Sequence, residues 1–482
     1  MRLIRFAAAA AASFLAAGLL GGVSPASPSH AADPVTVSIR PDAMHVASAL
    51  GTAPTTAYCE KHYKIACYLP GQIEQAYGLP ALYRRGVTGR GQTIVIVDSY
   101  GSPTVGHDLA VFDKVAGLPA PPSLTIIQPA GRVRPYRPNS NREGWAGETD
   151  LDVEYAHAIA PGARILLVET PTAENEGTTG FPQIVKAEKY VISHHLGGVI
   201  SQSFSATEET FPSRASLLSL RGAYIEAAAA GVTVLAASGD SGAADVRYNG
   251  STYYLHPVTS WPDSDPLVTG VGGTQLHLAA AGPPAAPTVW NDTYNVPTNE
   301  YIVGNKGPNP LAGGGGKSVI FGRPGYQDGV RQIVGDQRGV PDISMSGACN
   351  GAADMYQSFA GQAPGWYPTC GTSEATPEFA GIVALADQVA GHPLGLINPD
   401  LYLLSRLRAP GITDVVSGSN TVSFRQDGRL YTIRGFTAGP GYDLASGVGT
   451  VNAPRFVPEL ACLAGHRRGT SLRQAAARCS RA

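Results

Sequence analysis

The chain has 482 residues, 43% of them hydrophobic, with 35 basic against 37 acidic side chains, enough to bury the core of one large domain or two medium ones. So even a charge balance argues against a nucleic-acid partner. With only 15% charged residues but 58 Gly and 38 Pro, the chain reads as a turn-rich extracellular protein rather than a cytosolic one.

Met1–Arg5 carry two Arg, Phe6–Gly22 form an Ala/Leu-rich apolar run, and Ser29-His30-Ala31 offers the small residues a signal peptidase needs. Residues 1–31 are therefore expected to be a signal peptide. No later segment reaches the roughly 18 uninterrupted apolar residues of a membrane span, so the mature protein is expected to be secreted, extracellular and free of membrane. Residues 32–58, with Val35–Ile39 as their one alternating piece, read as a strap or leader. The catalytic domain is placed at 59–460 and a C-terminal tail at 461–482.

Six cysteines in an exported chain should pair. Of fifteen connectivities, the most economical is the nested local one, Cys59–Cys67, Cys349–Cys370 and Cys462–Cys479; free buried thiols are the rival reading.

Ordered structure is expected from Tyr68–Tyr77, where Pro70 opens an amphipathic helix. Gly91–Asp98 then reads as a buried strand ending in Asp98. Trp145–Ala163 reads as a helix on which Glu148 and Asp152, four residues apart, share a face. Two like charges there are either a solvated acidic face or a proton-sharing pair. Arg164–Val168, Gly198–Ser201 and Gly231–Ala237 are further apolar strands, the last preceded by the helical segment Ala223–Ala230. Such strands alternating with helices imply an α/β core with a parallel sheet. After the last of them, Ser238-Gly239-Asp240 puts a carboxylate at the carboxyl end of a parallel strand, where open α/β sheets bind ligands; an ordinary Asx-turn is the plainer reading.

Cys370-Gly371-Thr372-Ser373 is followed by Glu374-Ala375-Thr376-Pro377 and the small-residue run Glu378–Ala386. A Ser on a tight turn, with Pro377 at a permitted early helix position and an apolar helix behind, places a hydroxyl at a helix N-terminus. Partial positive charge there favours an alkoxide or oxyanion.

From about Cys67 to Pro458 the sequence resembles the sedolisins, serine-carboxyl peptidases with a subtilisin-like fold. The resemblance is carried in order by Glu148-x-x-x-Asp152, Ser238-Gly239-Asp240 and Gly371-Thr372-Ser373-x-x-x-Pro377. Trp261-Pro262 through Val271–Thr274, Gly313–Ser318 with Phe321, and Arg338–Asp342 add to it. It implies a single large subtilisin-like α/β domain, mainly parallel, with helices on both faces, acting on protein or peptide substrates as a monomer. It implies that Ser373 attacks the scissile carbonyl, Glu148 takes and returns the proton, Asp152 orients Glu148, and Asp240 faces the oxyanion. Asp240 must then be protonated to donate, and a Glu near its reference value of about 4.3 works as a base only in acid. The expected activity is therefore that of an acid-acting endopeptidase.

Thr413–Asn420 and Ala438–Asp443 resemble the two halves of the sedolisin calcium loop, which implies one structural Ca²⁺ held by Asp414, Asp443 and the carbonyls of Val415, Gly439 and Gly441. Sedolisins typically carry a long folded prosegment. Only about 35 residues separate Ala31 from Cys67, too few for one, so a member without a long prosegment is expected.

The chain departs from the family pattern at Cys370 and Glu374 beside the nucleophile, and at Ser201–Ser205, which lacks an aromatic-Gly ending. Two alternatives stand beside the peptidase reading. One is a non-catalytic peptide-binding scaffold of the same fold. The other is a subtilisin-type Ser-His-Asp enzyme using Asp98, for which His157 is the sole histidine in the right helix, about 180° round it from Glu148.

Overall fold

The computed structural model describes residues 42–43, 51–278, 285–299, 304, 306–466 and 479. The expected signal peptide and the Val35–Ile39 piece lie outside the described residues, as does most of the 461–482 tail. Eight strands build the central sheet in chain order: β1 (Thr93–Ser99), β2 (Leu124–Ile127), β3 (Arg164–Thr170), β4 (Val199–Gln202), β5 (Thr233–Ala237), β6 (Thr269–His277), β7 (Ala285–Val289) and β8 (Ile343–Ser346). Their spatial order is β7-β6-β5-β4-β1-β3-β2, with β8 also paired to β6. Every pairing is parallel except β6 with β7.

Side-chain alternation along β1 explains the layers. Ile94 and Ile96 face one core together with Leu151, Tyr155, Phe379, Ile382 and Phe456. Val95 and Val97 face the other with Phe181, Ile184, Ala223 and Tyr224. A strand apolar on both faces must be covered on both, as parallel strands are. The first face takes helices α1 (Ser140–Ile159), α4 (Thr372–Ala390) and α5 (Ala453–His466), and the second takes α2 (Phe181–Ser193) and α3 (Gly222–Ala230). This is the expected single-domain subtilisin-like architecture; the described residues form one compact unit.

The expected boundaries at 58/59 and 460/461 fall inside helices Thr56–His62 and Ala453–His466. Asp42–Ala43, from the expected strap, pairs antiparallel with Thr369 and Cys370. All three nested disulfides are present. No helix of the described residues is long and apolar enough to cross a membrane.

Candidate active site

Helix α1 begins at Asn139, whose side chain accepts the N–H groups of Asn141 at 3.2 Å and Arg142 at 3.1 Å, a regular N-cap. From Trp145 to Ile159 every residue is buried, which overturns the solvated-face reading. Each turn of this helix then needs polar partners. Asp150 accepts from Ser102 Oγ at 3.1 Å and Glu154 from Tyr356 N–H at 3.0 Å. Asp152 Oδ1 accepts from Ser203 Oγ at 2.8 Å. Burial, then the charges of Asp98 and Glu148, hold the Asp152 carboxyl well above its ordinary range. The charge of Glu148 thus acts on the buried Asp152 carboxyl, and both side chains are enclosed.

Ser373 is the second residue of α4, directly after the hairpin of Ala352–Gln357 and Gly365–Cys370. The Cys349–Cys370 bridge ties that hairpin end to the preceding loop, and Cys349 N–H is held at 3.0 Å by Asp292. Pro377 lies inside α4, not at the early position expected of it. It has no N–H to give to the Ser373 carbonyl one turn earlier, and that carbonyl instead accepts from Ser203 Oγ at 3.3 Å. Ser203 therefore touches both the Asp152 carboxylate and the Ser373 backbone. Helices α1 and α4 approach so closely that a Cβ on Gly381 would lie 2.6 Å from the Ile159 Cβ, and so the small-residue run is needed.

Asp240 follows β5 and reaches the same turn. Its Oδ1 accepts from Thr372 N–H at 2.6 Å and from Thr372 Oγ1 at 2.9 Å, while Gly239 N–H donates to Thr372 Oγ1 at 3.1 Å. Enclosure raises the Asp240 carboxyl from 3.8 to about 6, against the pull of the Thr372 bonds. The contacts thus link the Ser373 turn to Asp152 through Ser203 and to Asp240 through Thr372, with the charge of Glu148 felt at Asp152.

Asp98, weighed in the sequence only as a Ser-His-Asp partner, is the penultimate residue of β1, fully buried, and with burial as the main cause its carboxyl is raised to about 7. Its charge is felt by Asp152. His157 faces away: its Nε2 is 2.8 Å from the Pro119 carbonyl and 3.3 Å from Asp113, and burial lowers it to about 4. His157, the histidine the sequence offers for a Ser-His-Asp triad, is thus engaged away from Ser373. Glu374 turns from the nucleophile toward Ser346 and Ala353, and burial first of all holds it well above its usual range. Sequence reasoning missed Ser203 and Thr372. The signal for a buried α1 was present, since Trp145–Ala163 carries four carboxylates and no Lys or Arg, where a solvated helix face usually mixes signs.

The two expected calcium half-loops also meet. Asp414 Oδ2 accepts from Gly441 N–H at 2.8 Å and Asp443 Oδ2 from Gly439 N–H at 3.0 Å, so both carboxylates hold the Gly439–Gly441 turn. Nothing lies within 4 Å of where Gly439 or Gly441 would carry a Cβ. The donors offered are all hard oxygens, which fits Ca²⁺.

A model of the subtilase family matches residues 139–394. The chain is 32% identical over 393 residues to kumamolisin from Bacillus sp. (strain MN-32), covering 80% of this chain and 62% of that protein. It is 30% identical over 370 residues to sedolisin from Pseudomonas sp. (strain 101), covering 76% and 57%. To tripeptidyl-peptidase 1 of Canis lupus familiaris it is 27% identical over 411 residues, covering 81% and 64%. The chain thus spans less than two thirds of the length of each of these relatives. The solved structure of Pseudomonas sedolisin, a serine-carboxyl proteinase complexed with two molecules of pseudo-iodotyrostatin, superposes with a TM-score of 0.68 at 25% identity, covering 82% of this chain and 97% of that one.

Proposed function

This chain belongs to the subtilase family, in its sedolisin branch, and from that premise we propose that it is a secreted, monomeric, acid-acting serine-carboxyl endopeptidase that cleaves proteins and peptides. The observation that carries the reading is the junction at α4: Ser373 stands between Thr372, bound to Asp240, and Ser203, bound to Asp152.

In this reading Ser373 Oγ attacks the scissile carbonyl carbon as its proton passes to the Glu148 carboxylate. Asp152 orients Glu148 and, through Ser203, stays in register with the nucleophile turn. Asp240, protonated below about pH 6, donates a hydrogen bond to the oxygen on which negative charge develops, and the N-terminus of α4 adds its partial positive charge. Glu148 returns the proton to the departing amine, leaving an acyl-enzyme on Ser373. Water then attacks by the same route in reverse. Asp414, Asp443 and the carbonyls of Val415, Gly439 and Gly441 would hold a Ca²⁺, which supplies structural cross-linking of the two loops. Disulfides suit an oxidising compartment, which supports the secreted reading. Digestion of casein in acid by the wild type and by Ser373→Ala tests the function: the wild type digests it and the variant does not, and equal rates would refute the assignment.

A further inference from the structure

Beside the oxyanion residue lies a group of carboxyls that the mechanism does not use. Glu174 is fully buried, neither of its carboxylate oxygens has a hydrogen-bond partner, and its backbone N–H donates to Ser99 Oγ at 3.0 Å. Its carboxyl faces those of Glu176 and Asp245. Glu176 Oε2 is fixed by Thr207 N–H at 3.0 Å and Thr210 Oγ1 at 2.8 Å, and Asp245 by Val246 N–H at 2.8 Å and Ser260 Oγ at 2.6 Å. Two acids are thus held in place and the third is left with its hydrogen-bonding capacity unspent, which a buried carboxyl does not tolerate without a ligand or a proton.

Asp245 of this group lies against the residue that precedes Asp240. A Cβ at Gly239 would meet only Asp245 Oδ2 at 3.8 Å and Ser205 Oγ at 4.0 Å. Gly239 is joined to Thr372 and immediately precedes Asp240. Asp245 thus stands beside the turn that carries Asp240, and its charge is felt there.

We propose that Glu174, Glu176 and Asp245 receive the side chain of the residue whose carbonyl is attacked, and that the enzyme prefers to cleave after lysine or arginine. The proposal rests on the peptidase reading above and names its substrate class. Among the described residues, no Lys or Arg forms an ion pair with any of the three. Arg247, close in sequence to Asp245, holds its guanidinium over the Tyr254 ring at 4.7 Å. The three acids do not bring ligand oxygens within 4.8 Å of one another as a group, which disfavours a single point ion and suits an ammonium or a guanidinium fork spanning several carboxyls. Glu209, Tyr254 and Asp240 also feel this set, and Arg247 acts on Tyr254. Burial raises all three carboxyls, so an entering cation exchanges for a proton and selectivity for it grows with pH within the acid range.

The test uses N-acetylated quenched peptides that differ only before the scissile bond, in Lys, Arg, norleucine or Glu, with casein alongside. Wild type should give a kcat/KM for Lys and Arg at least about tenfold above norleucine, rising from pH 3 to 5, with Glu the poorest. Glu174→Gln, which keeps the shape, should bring the Lys-to-norleucine ratio near unity, and Asp245→Asn, at the partly exposed rim, should lower it independently. Digestion of casein with norleucine preferred, a ratio unmoved by both variants, or a requirement for a free α-amino group would overturn the proposal while leaving the peptidase reading intact. Failure to cleave casein or any peptide would refute that reading and this one with it.

Discussion

Thr372 gives both its backbone N–H and its hydroxyl to Asp240 Oδ1, at 2.6 and 2.9 Å, one residue before Ser373. With Oδ1 so occupied, Oδ2 is the oxygen left to carry a proton toward the substrate. Asp240 holds that proton up to about pH 6, so turnover should fall as pH rises through that value, giving a bell-shaped profile centred at about pH 3 to 5. In Asp240→Asn the amide still donates but does not titrate. It should retain partial activity and lose the descending limb near pH 6; a pH–rate profile of both proteins checks this, and a wild-type maximum at pH 8 would contradict it.

Gly371 should tolerate no side chain. Its φ is +128°, and a Cβ would stand 2.9 Å from Asp240 Oδ2. Gly371→Ala should cost about 1–3 kcal/mol of stability and lower kcat more than KM, because Asp240 is displaced from the oxyanion. Denaturant unfolding with steady-state kinetics measures both effects.

Stability should decline from acid toward neutral pH. Burial raises Glu188 and Asp387 to about 8, whereas in the unfolded chain both titrate near 4. Between those values the native state binds more protons than the unfolded one, so unfolding free energy is greatest below about pH 4 and is lost as pH rises toward 8. Each group contributes of order a few kcal/mol to this slope. Glu188→Gln and Asp387→Asn should flatten the fall in Tm between pH 4 and 8 by calorimetry, and a Tm that rises over that range in the wild type would contradict the sign.

Calcium should stabilise the fold through Asp414 and Asp443. At a concentration a hundredfold above Kd, an ion bound only by the native state adds about 2.7 kcal/mol. EDTA should therefore lower Tm, and Asp414→Ala should abolish the EDTA effect. A Tm indifferent to EDTA would count against the site.

Local signals were legible in the sequence and long-range ones were not. The apolar β-branched run of Thr93–Ser99 announces a strand buried on both faces, and Gly371-Thr372-Ser373 announces a turn before a helix. Glu148, Asp152 and Asp240 are legible as candidates because spacing on one helix and a Gly-Asp strand end are local patterns. Ser203, 51 residues from Asp152 and 170 from Ser373, has no local mark: only packing of β4 against α1 and α4 makes it a bridge. Pro377 was misplaced because the helix start at Thr372 depends on the Asp240 carboxylate that holds its N–H. The Glu174 loop was passed over for the same reason, since its partners come from residues 207, 210 and 245.

The most direct measurement is acid digestion of casein by wild type, Ser373→Ala and Glu148→Gln, each verified as folded by circular dichroism. Ser373→Ala should show no turnover, and Glu148→Gln should be nearly as inactive because an amide cannot take the proton from Ser373. Digestion by folded Ser373→Ala at the wild-type rate would contradict the assignment.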